Sequence, residues 1–240
     1  MKIILNHLTR MQSGYICAAG VDVQTRRHVR PMPGRGHLRP DLLALHGGPL
    51  DIRAIIELGA SKHVGKPPEI EDHEFDPRNM QALGSLAAPR FWNMLTQMAK
   101  TDLTSIFGAD LRPAGARSCG VDVGKGAASL GCLVPKERPR VFLRTRPDKP
   151  PQIRIQFTDG KFDVDVGVTD IRLYGEDQAT PDTASVDALM KRLSGSDPVI
   201  LSVGLTRPFT PKDDAAPMHW LQVNNIHFKD DAAQEPASEG

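Results

Sequence analysis

The chain has 240 residues, enough for one large domain or two small ones. Its hydrophobic share of 40% and charged share of 25% exclude a disordered or fibrous protein, and no segment has the long apolar run of a membrane helix or secretory signal. Three cysteines are too few for a disulfide framework, so we expect a soluble, cytoplasmic protein without membrane contact.

The net charge of +1 conceals an uneven distribution of charged residues. Residues 1–60 contain eight Lys and Arg against four acids, and residues 111–175 contain twelve against seven. Residues 61–110 and 176–240 have an excess of acids. A basic face is what a polyanion contacts, although charged residues that are simply solvated give the same pattern.

The first part of the chain has the pattern of short strands. The whole chain contains 20 prolines and 21 glycines, which favour many short elements joined by turns. Lys2–Arg10 predicts a strand, residues 15–23 and 28–32 predict a hairpin, and residues 50–58 predict a further strand. Residues 41–46 predict one helical turn.

The middle of the chain has helical spacing. Asp76 before Pro77 is typical of a helix start, and apolar residues recur at helical intervals from Met80 to Met98. Because Pro89 interrupts this run, we expect two helices that end by about Gly108.

The β pattern returns from residue 118. Asp159 and Gly160 form a dipeptide typical of hairpins, and Thr183–Leu193 predicts a helix. The predicted strands are 128–134, 140–145, 151–158, 161–168, 199–206 and 219–228, with 171–174 continuing the sheet. Residues from about 229 are polar and acidic, which predicts a disordered tail.

Two runs of short strands around a helical stretch predict a mainly β (α+β) fold with two OB-like β-barrels. We assign the first barrel to residues 1–75, the helical insert to 76–117, the second barrel with a short helix to 118–228, and the tail to 229–240.

The two ends of the chain are alike. Residues 3–10 align with residues 199–207, and Leu-Thr-Arg occurs in both, at Leu8 to Arg10 and at Leu205 to Arg207. This similarity weakly indicates an internal duplication.

The same ends resemble a known family. Leu-Thr-Arg at 8–10, Cys-Ala-Ala-Gly-Val-Asp at 17–22 and Val-Arg-Pro at 29–31, with residues 201–208 and 220–226, resemble the dual OB-containing domain family of prokaryotes. The resemblance extends over about residues 1–228. It implies two OB-like barrels in one module, recognition of nucleic acid or a nucleotide, and association with conflict and immunity systems. It implies no catalytic residues.

The residues with the strongest chemical signal are arginines. Residues 26–39 contain five arginines, two histidines and no acid, and the guanidinium group matches phosphate oxygens in two-point hydrogen bonding. The alternative is that these arginines pair with the acidic residues 69–76. A second basic run covers residues 136–154. The predicted nucleic-acid-binding residues are Arg10, Arg27, Arg30, Arg35, Arg39, Arg144 and Arg207.

Other chemistry has weaker support in the sequence. Tyr15, Phe209 and Trp220 are near the duplicated strands and could stack on bases, with core packing as the alternative. The acidic segment 63–76 has metal-ligand residue types without a diagnostic spacing, so a solvated acidic edge is expected there. We predict no catalytic residue, metal or cofactor.

The sequence therefore predicts a binding module rather than an enzyme, with nucleic acid or a nucleotide as ligand, single-stranded rather than duplex. The resemblance suggests an accessory or sensor component of a prokaryotic antiviral defence system with a protein effector as partner. Two alternatives remain open: a protein–protein adaptor that does not bind nucleic acid, and a metal-dependent hydrolase that acts through the acidic segment.

Overall fold

The computed structural model of the protein describes residues 1–147, 149–210 and 216–230. The chain is mostly β, with 43% strand and 18% helix, and includes a strongly curled half-barrel sheet. The predicted mainly β fold class is confirmed. No helix in the described ranges is long and apolar enough to cross a lipid bilayer.

Seven strands form the first sheet, in the order β5-β6-β3-β2-β1-β4-β7. All its neighbouring strands are antiparallel except the parallel pair β3 and β6. The strands are β1 (Lys2–Arg10), β2 (Ile16–Asp22), β3 (His28–Pro33), β4 (Ala54–Glu57), β5 (Ser61–His63), β6 (Asp72–Phe75) and β7 (Gln81–Ser85). The predicted hairpin is confirmed as β2 and β3.

Strand β1 is buried along almost its whole length between β2 and β4. Its apolar side chains enter the first hydrophobic core, and Ile3 and Leu5 are completely buried. Gly20 of β2 lies close against this strand, because a β-carbon at Gly20 would be 2.5 Å from the carbonyl oxygen of Ile4. Only glycine permits this approach of the two backbones.

The predicted helix that begins at Asp76 is wrong. Asp76 caps a single 3-10 turn, Pro77–Asn79, by accepting a hydrogen bond from the backbone N–H of Arg78, and the chain then continues as β7. The free edge of β4 pairs with this segment, and those ladder hydrogen bonds outweigh its helical spacing. Pro89 does not break a helix either, because it occupies the first turn of α1 (Ala88–Met98), where no backbone N–H donor is needed.

The rest of the chain forms a five-stranded sheet, in the order β10-β14-β15-β9-β8, and a three-stranded sheet, β11-β12-β13. The strands are β8 (Arg112–Pro113), β9 (Cys119–Asp122), β10 (Leu130–Leu133), β11 (Arg140–Arg146), β12 (Lys149–Thr158), β13 (Asp163–Gly167), β14 (Val199–Leu205) and β15 (Met218–Phe228). Helices α2 (Thr104–Phe107) and α3 (Thr183–Leu193) contribute to the second core. We call residues 1–99, which contain the seven-stranded sheet and α1, the first half, and the described residues from 100 onward the second half.

Most predicted elements of the second half are confirmed, including the hairpin turn at Gly160 and the helix α3. The predicted strand at 171–174 is wrong. That segment is a 3-10 turn, Ile171–Leu173, because the Asp170 side chain accepts the backbone N–H of Arg172 and caps it. Residues 231–240 of the predicted tail lie outside the described residues.

The two halves meet where β1 packs against β15, and each of these strands has a β-bulge there. Asn6 is the extra residue in β1, between the paired residues Leu5 and His7. Asn224 is the extra residue in β15, where its pairing with β14 shifts. Bulges redirect side chains, and here they place two asparagines at the junction of the halves.

A third asparagine joins the same two strands directly. The Asn225 side chain accepts a hydrogen bond from the backbone N–H of Leu8 at 2.7 Å and donates one to the carbonyl oxygen of Leu8 at 3.2 Å. The amide of Asn225 therefore acts toward β1 as a backbone peptide group of a neighbouring strand would act.

Candidate nucleic-acid interface

A cavity of about 700 Å³ lies between the two halves, and residues of both line it. We call it the central cleft. Its floor includes His7, Ala19 and Asn224, which are at most 5% exposed, while Tyr15 and Phe209 at its rim are 37% and 47% exposed. The volume falls in the range of about 300–1,000 Å³ that is typical of ligand sites.

Aromatic rings flank the cleft on both halves. Tyr15 and His37 lie with ring centroids 4.8 Å apart on the first half. On the second half, the Phe209 ring is 6.0 Å from that of Trp220, whose indole N–H donates to the Phe209 carbonyl oxygen. Partly exposed rings at the mouth of a cleft are suitable platforms for nucleic-acid bases.

Three of the predicted arginines line the cleft, and two of these belong to an ionic cluster. The Nε of Arg30 donates to Asp72 at 2.6 Å. Arg207 lies across the boundary between the halves and contacts Glu69 at 2.5 Å and Asp72 at 2.8 Å. Arg30 therefore pairs with the acidic residues 69–76, which is the alternative to phosphate binding for the arginine segment 26–39. The two guanidinium groups and the two carboxylates balance in charge. Because Arg207 belongs to the second half and its partners to the first, this cluster joins the halves.

Arg10 is the third predicted arginine in the cleft. Its Nε donates to the carbonyl oxygen of Gln178 at 2.5 Å, and its guanidinium lies over the Tyr174 ring at 4.8 Å. Burial, the largest effect, raises the pKa of Tyr174, so the ring that Arg10 covers stays neutral. Arg10 is thus a half-buried cation held in a fixed position at the cleft wall.

The remaining predicted arginines of the 26–39 segment are exposed. Arg39 is 74% exposed and is 3.9 Å from Asp41, a contact of little energetic value. Arg27 and Arg35 are exposed and form no ion pair with any described residue. Arg35 and Arg39 flank His37, which lines the cleft. Neither arginine is among the described residues that line the cleft, and Arg35 lines a separate cavity with Lys62 and Glu74. The role of these two cations in binding stays a prediction.

Arg144 is located elsewhere. It projects from β11 and, together with Arg154, forms ion pairs with Asp165 of β13. It is not among the described residues that line the central cleft. Burial is the largest single effect on the pKa of the Asp165 carboxyl and raises it. The hydrogen bonds from Arg154 and Gln156 and the attraction to both arginines together lower this pKa. Arg144 thus has a partner within its own sheet, and a role in nucleic-acid binding remains a prediction.

The floor of the cleft contains a chain of side-chain amides that ends at an imidazole. Gln222 Nε2 donates to Asn224 Oδ1 at 2.8 Å, and Asn224 Nδ2 lies 3.0 Å from His7 Nδ1. Burial lowers the pKa of His7 well below its usual value, and the nearby His28, His227 and Arg30 lower it further. The ring is therefore neutral at physiological pH.

A second buried polar network lies next to this floor. Asn6 Nδ2 contacts the Ser202 hydroxyl at 3.3 Å and His28 Nε2 at 3.2 Å. The Nε2 atom of His227 lies 2.9 Å from the same hydroxyl and 3.1 Å from the carbonyl oxygen of Asn6. Buried polar groups of both halves thus hold one another, which fixes the relative position of β1 and β15.

The acidic segment is a solvated edge only in part: His63 and Glu74 are exposed, as expected, whereas two of its carboxylates are buried. Glu71 and Asp72 are only 4% and 7% exposed, because their carboxylates accept hydrogen bonds across the molecule. Glu71 accepts from the hydroxyl and backbone N–H of Ser129 and from the backbone N–H of Leu130. Among the described residues, no group of three or more His, Cys, Asp or Glu side chains is placed to hold a metal ion.

The dual OB-containing domain family matches residues 1–226 of the chain. The chain belongs to this family. The two halves of this dual OB-containing domain meet at the central cleft, and OB folds use a curved strand face and adjoining loops to take oligonucleotides or oligosaccharides. No curated protein and no solved structure matches the chain.

Sequence reasoning missed the floor of the cleft in this dual OB-containing domain. His7 lies in an otherwise apolar strand, and Gln222 and Asn224 lie in the last strand, more than 200 residues away. The polar residues Asn6 and His7 inside an apolar run were the available signal, because such residues need buried partners. The partners themselves are fixed only by the packing of β1 against β15.

Proposed function

We propose that this dual OB-containing domain binds single-stranded nucleic acid, or a nucleotide, in the central cleft. The observation that carries the proposal is the combination of aromatic rings on both sides of the cleft with the Arg10 guanidinium at its wall. The exposed Arg35 and Arg39 are each two residues from His37, which lines the cleft. Bases stack on Tyr15 and Phe209, and Arg35 and Arg39 contact phosphates. Arg10 supplies a further positive charge from the cleft wall.

The proposal favours single strands because their bases are free to stack. In a duplex the bases face each other, and aromatic rings inside a cleft cannot reach them without unpairing. The proposal further extends to a cytoplasmic role as an accessory or sensor component of a prokaryotic defence system, acting with a protein effector. The support for this role is the resemblance to a family that is associated with conflict and immunity systems.

The test is a binding titration of labelled single-stranded and duplex DNA and RNA over a series of salt concentrations. We expect tighter binding of single strands and a linear fall of log affinity with log salt. The double variant Arg35→Ala, Arg39→Ala should bind every sequence more weakly and lower the salt slope by about 0.7 for each lost phosphate contact.

A matched control removes two exposed cations that are distant in sequence from Arg35 and Arg39. Arg90 of α1 and Lys191 of α3 are exposed and are not among the described residues lining the cleft. The double variant Arg90→Ala, Lys191→Ala should keep the parent slope. Equal effects of the two double variants would show that Arg35 and Arg39 have no particular role. Absence of binding to all four nucleic acids, and to free nucleotides in the same titration, would refute the proposal.

A further inference from the structure

The floor of the central cleft carries a buried hydrogen-bonding atom without a partner. His7 is 1% exposed and lines the cleft, and its Nε2 has no hydrogen-bond partner among the described residues. Buried polar atoms are normally paired, so an unpaired one at the wall of a cavity points to a ligand.

The amide chain fixes what kind of atom this is. Gln222 Nε2 donates to the Oδ1 of Asn224, which leaves the Nδ2 of Asn224 facing His7 Nδ1 at 3.0 Å. An amide nitrogen can only donate, so His7 Nδ1 is the acceptor. A neutral imidazole with an acceptor at Nδ1 has its proton on Nε2. The unpaired atom is therefore an N–H donor.

A hydrogen-bond acceptor without a partner is available on the same wall. The side-chain carbonyl oxygen of Gln222 has no hydrogen-bond partner among the described residues, and Gln222 also lines the cleft. His7 and Gln222 thus offer one donor and one acceptor, both uncharged. The Nη2 of buried Arg30, which has no hydrogen-bond partner among the described residues, adds a charged donor in the same cleft. The Tyr15 and Phe209 rings lie at the rim, and the Arg10 guanidinium lies at the cleft wall. This arrangement matches a nucleotide, which has a flat, uncharged base with donors and acceptors at one end and an anionic phosphate at the other.

We propose that the floor of the central cleft is a nucleobase subsite, in which His7 Nε2–H donates to an acceptor atom on the edge of one base. Gln222 accepts from a donor of the same base, and Asn224 is a positioning residue that holds the imidazole in the required tautomer. This inference rests on the proposed function and adds which part of the nucleotide enters the cleft.

The first test compares two labelled single-stranded DNAs of about 12 nucleotides, a length within the span of OB-type sites: one of adenine nucleotides, and one with the same sugar-phosphate backbone but no bases. Wild-type protein should bind the base-bearing strand at least 10-fold more tightly. The variant His7→Phe keeps a ring but removes the donor. It should lose about 5- to 10-fold on the base-bearing strand and nothing on the abasic strand.

The second test needs no substitution, so it holds even where His7→Phe fails to fold. In the ¹⁵N spectrum of the wild-type imidazole, we expect His7 to bear its proton on Nε2. The Nε2 signal should move on addition of the adenine strand and stay in place with the abasic strand. A proton on Nδ1, or equal shifts with both strands, would overturn the subsite.

The two proposals fail in different ways. One outcome is that the wild-type protein binds both strands with equal affinity, and that log affinity falls linearly with log salt. This result would refute the base subsite and leave nucleic-acid binding intact. Equal weakening of both strands by His7→Phe would also refute it. If neither strand binds, the proposed function itself is wrong, and the base subsite is refuted with it.

Discussion

Protonation of His28 should destabilise the folded protein as the pH falls. His28 is half-buried, its Nε2 lies 3.2 Å from Asn6 Nδ2, and its ring packs edge-on against His7 at 5.1 Å. Burial lowers the pKa of His28 from 6.5 to about 4. The unfolded chain therefore takes up a proton at a higher pH than the folded protein, and protonation favours unfolding.

The size of the effect follows from these two pKa values. Above about pH 7, His28 is neutral in both states and contributes no pH dependence. As the pH falls below 6.5, stability is lost, and the loss levels off near pH 4. At pH 5 it amounts to about 2 kcal/mol from His28 alone. The pKa of His7 is also lowered, so His7 adds a loss of the same sign.

Urea unfolding of the wild-type protein and of His28→Gln at pH 7.5 and pH 5 measures this effect. The wild-type protein should lose about 2 kcal/mol more than the variant between the two pH values. His46 is exposed, and His46→Gln serves as the control that should behave as the wild type. The raised pKa of buried Glu71 acts in the opposite direction, but equally in all three proteins. The reasoning fails if His28→Gln retains the full pH dependence of the wild type.

Three other substitutions test the fold. Gly20→Ala should cost about 1–3 kcal/mol in thermal or urea unfolding, because its β-carbon would be 2.5 Å from the carbonyl oxygen of Ile4; unchanged stability would contradict this packing. Glu71→Ala should cost about 1–3 kcal/mol, since it leaves the buried N–H groups of Ser129 and Leu130 without an acceptor, and a neutral result would show that these bonds are not formed. Arg78→Ala should leave the free energy of unfolding unchanged within the error of the measurement, because the Arg78 side chain is 88% exposed; a measurable loss would mean that its ion pair is structural.

Strands and helices could be predicted from the sequence where the turn or cap residues agree with the apolar pattern. The strand ending before Asp159 and Gly160, the turn at these residues and the helix Thr183–Leu193 all have the expected turn or cap residues next to a clear apolar pattern. The segment from Met80 failed because its apolar spacing fits a helix while its actual structure depends on the free edge of β4, a tertiary feature.

The candidate site could be predicted only in part. Of the predicted arginines, Arg10, Arg30 and Arg207 line the cleft, and so does Tyr15, which was considered as a stacking residue. Binding by these residues stays a prediction. Composition could not show that Arg207 is neutralised by Asp72, because the two residues are 135 positions apart and meet only when the halves pack. The same long-range packing assembles the floor around His7.

The hydrogen bonds between Asn225 and Leu8 have a consequence for synthesis on the ribosome. The two residues are 217 positions apart, so β1 can contact β15 only after about that many further residues have been made. At a translation rate of about 5–20 residues per second, the wait is about 10–40 s. Throughout that time Asn6 and His7 lack the groups that satisfy them in the folded protein. We therefore expect nascent chains to be unable to bind ligand in the cleft and to depend on chaperones until β15 is complete.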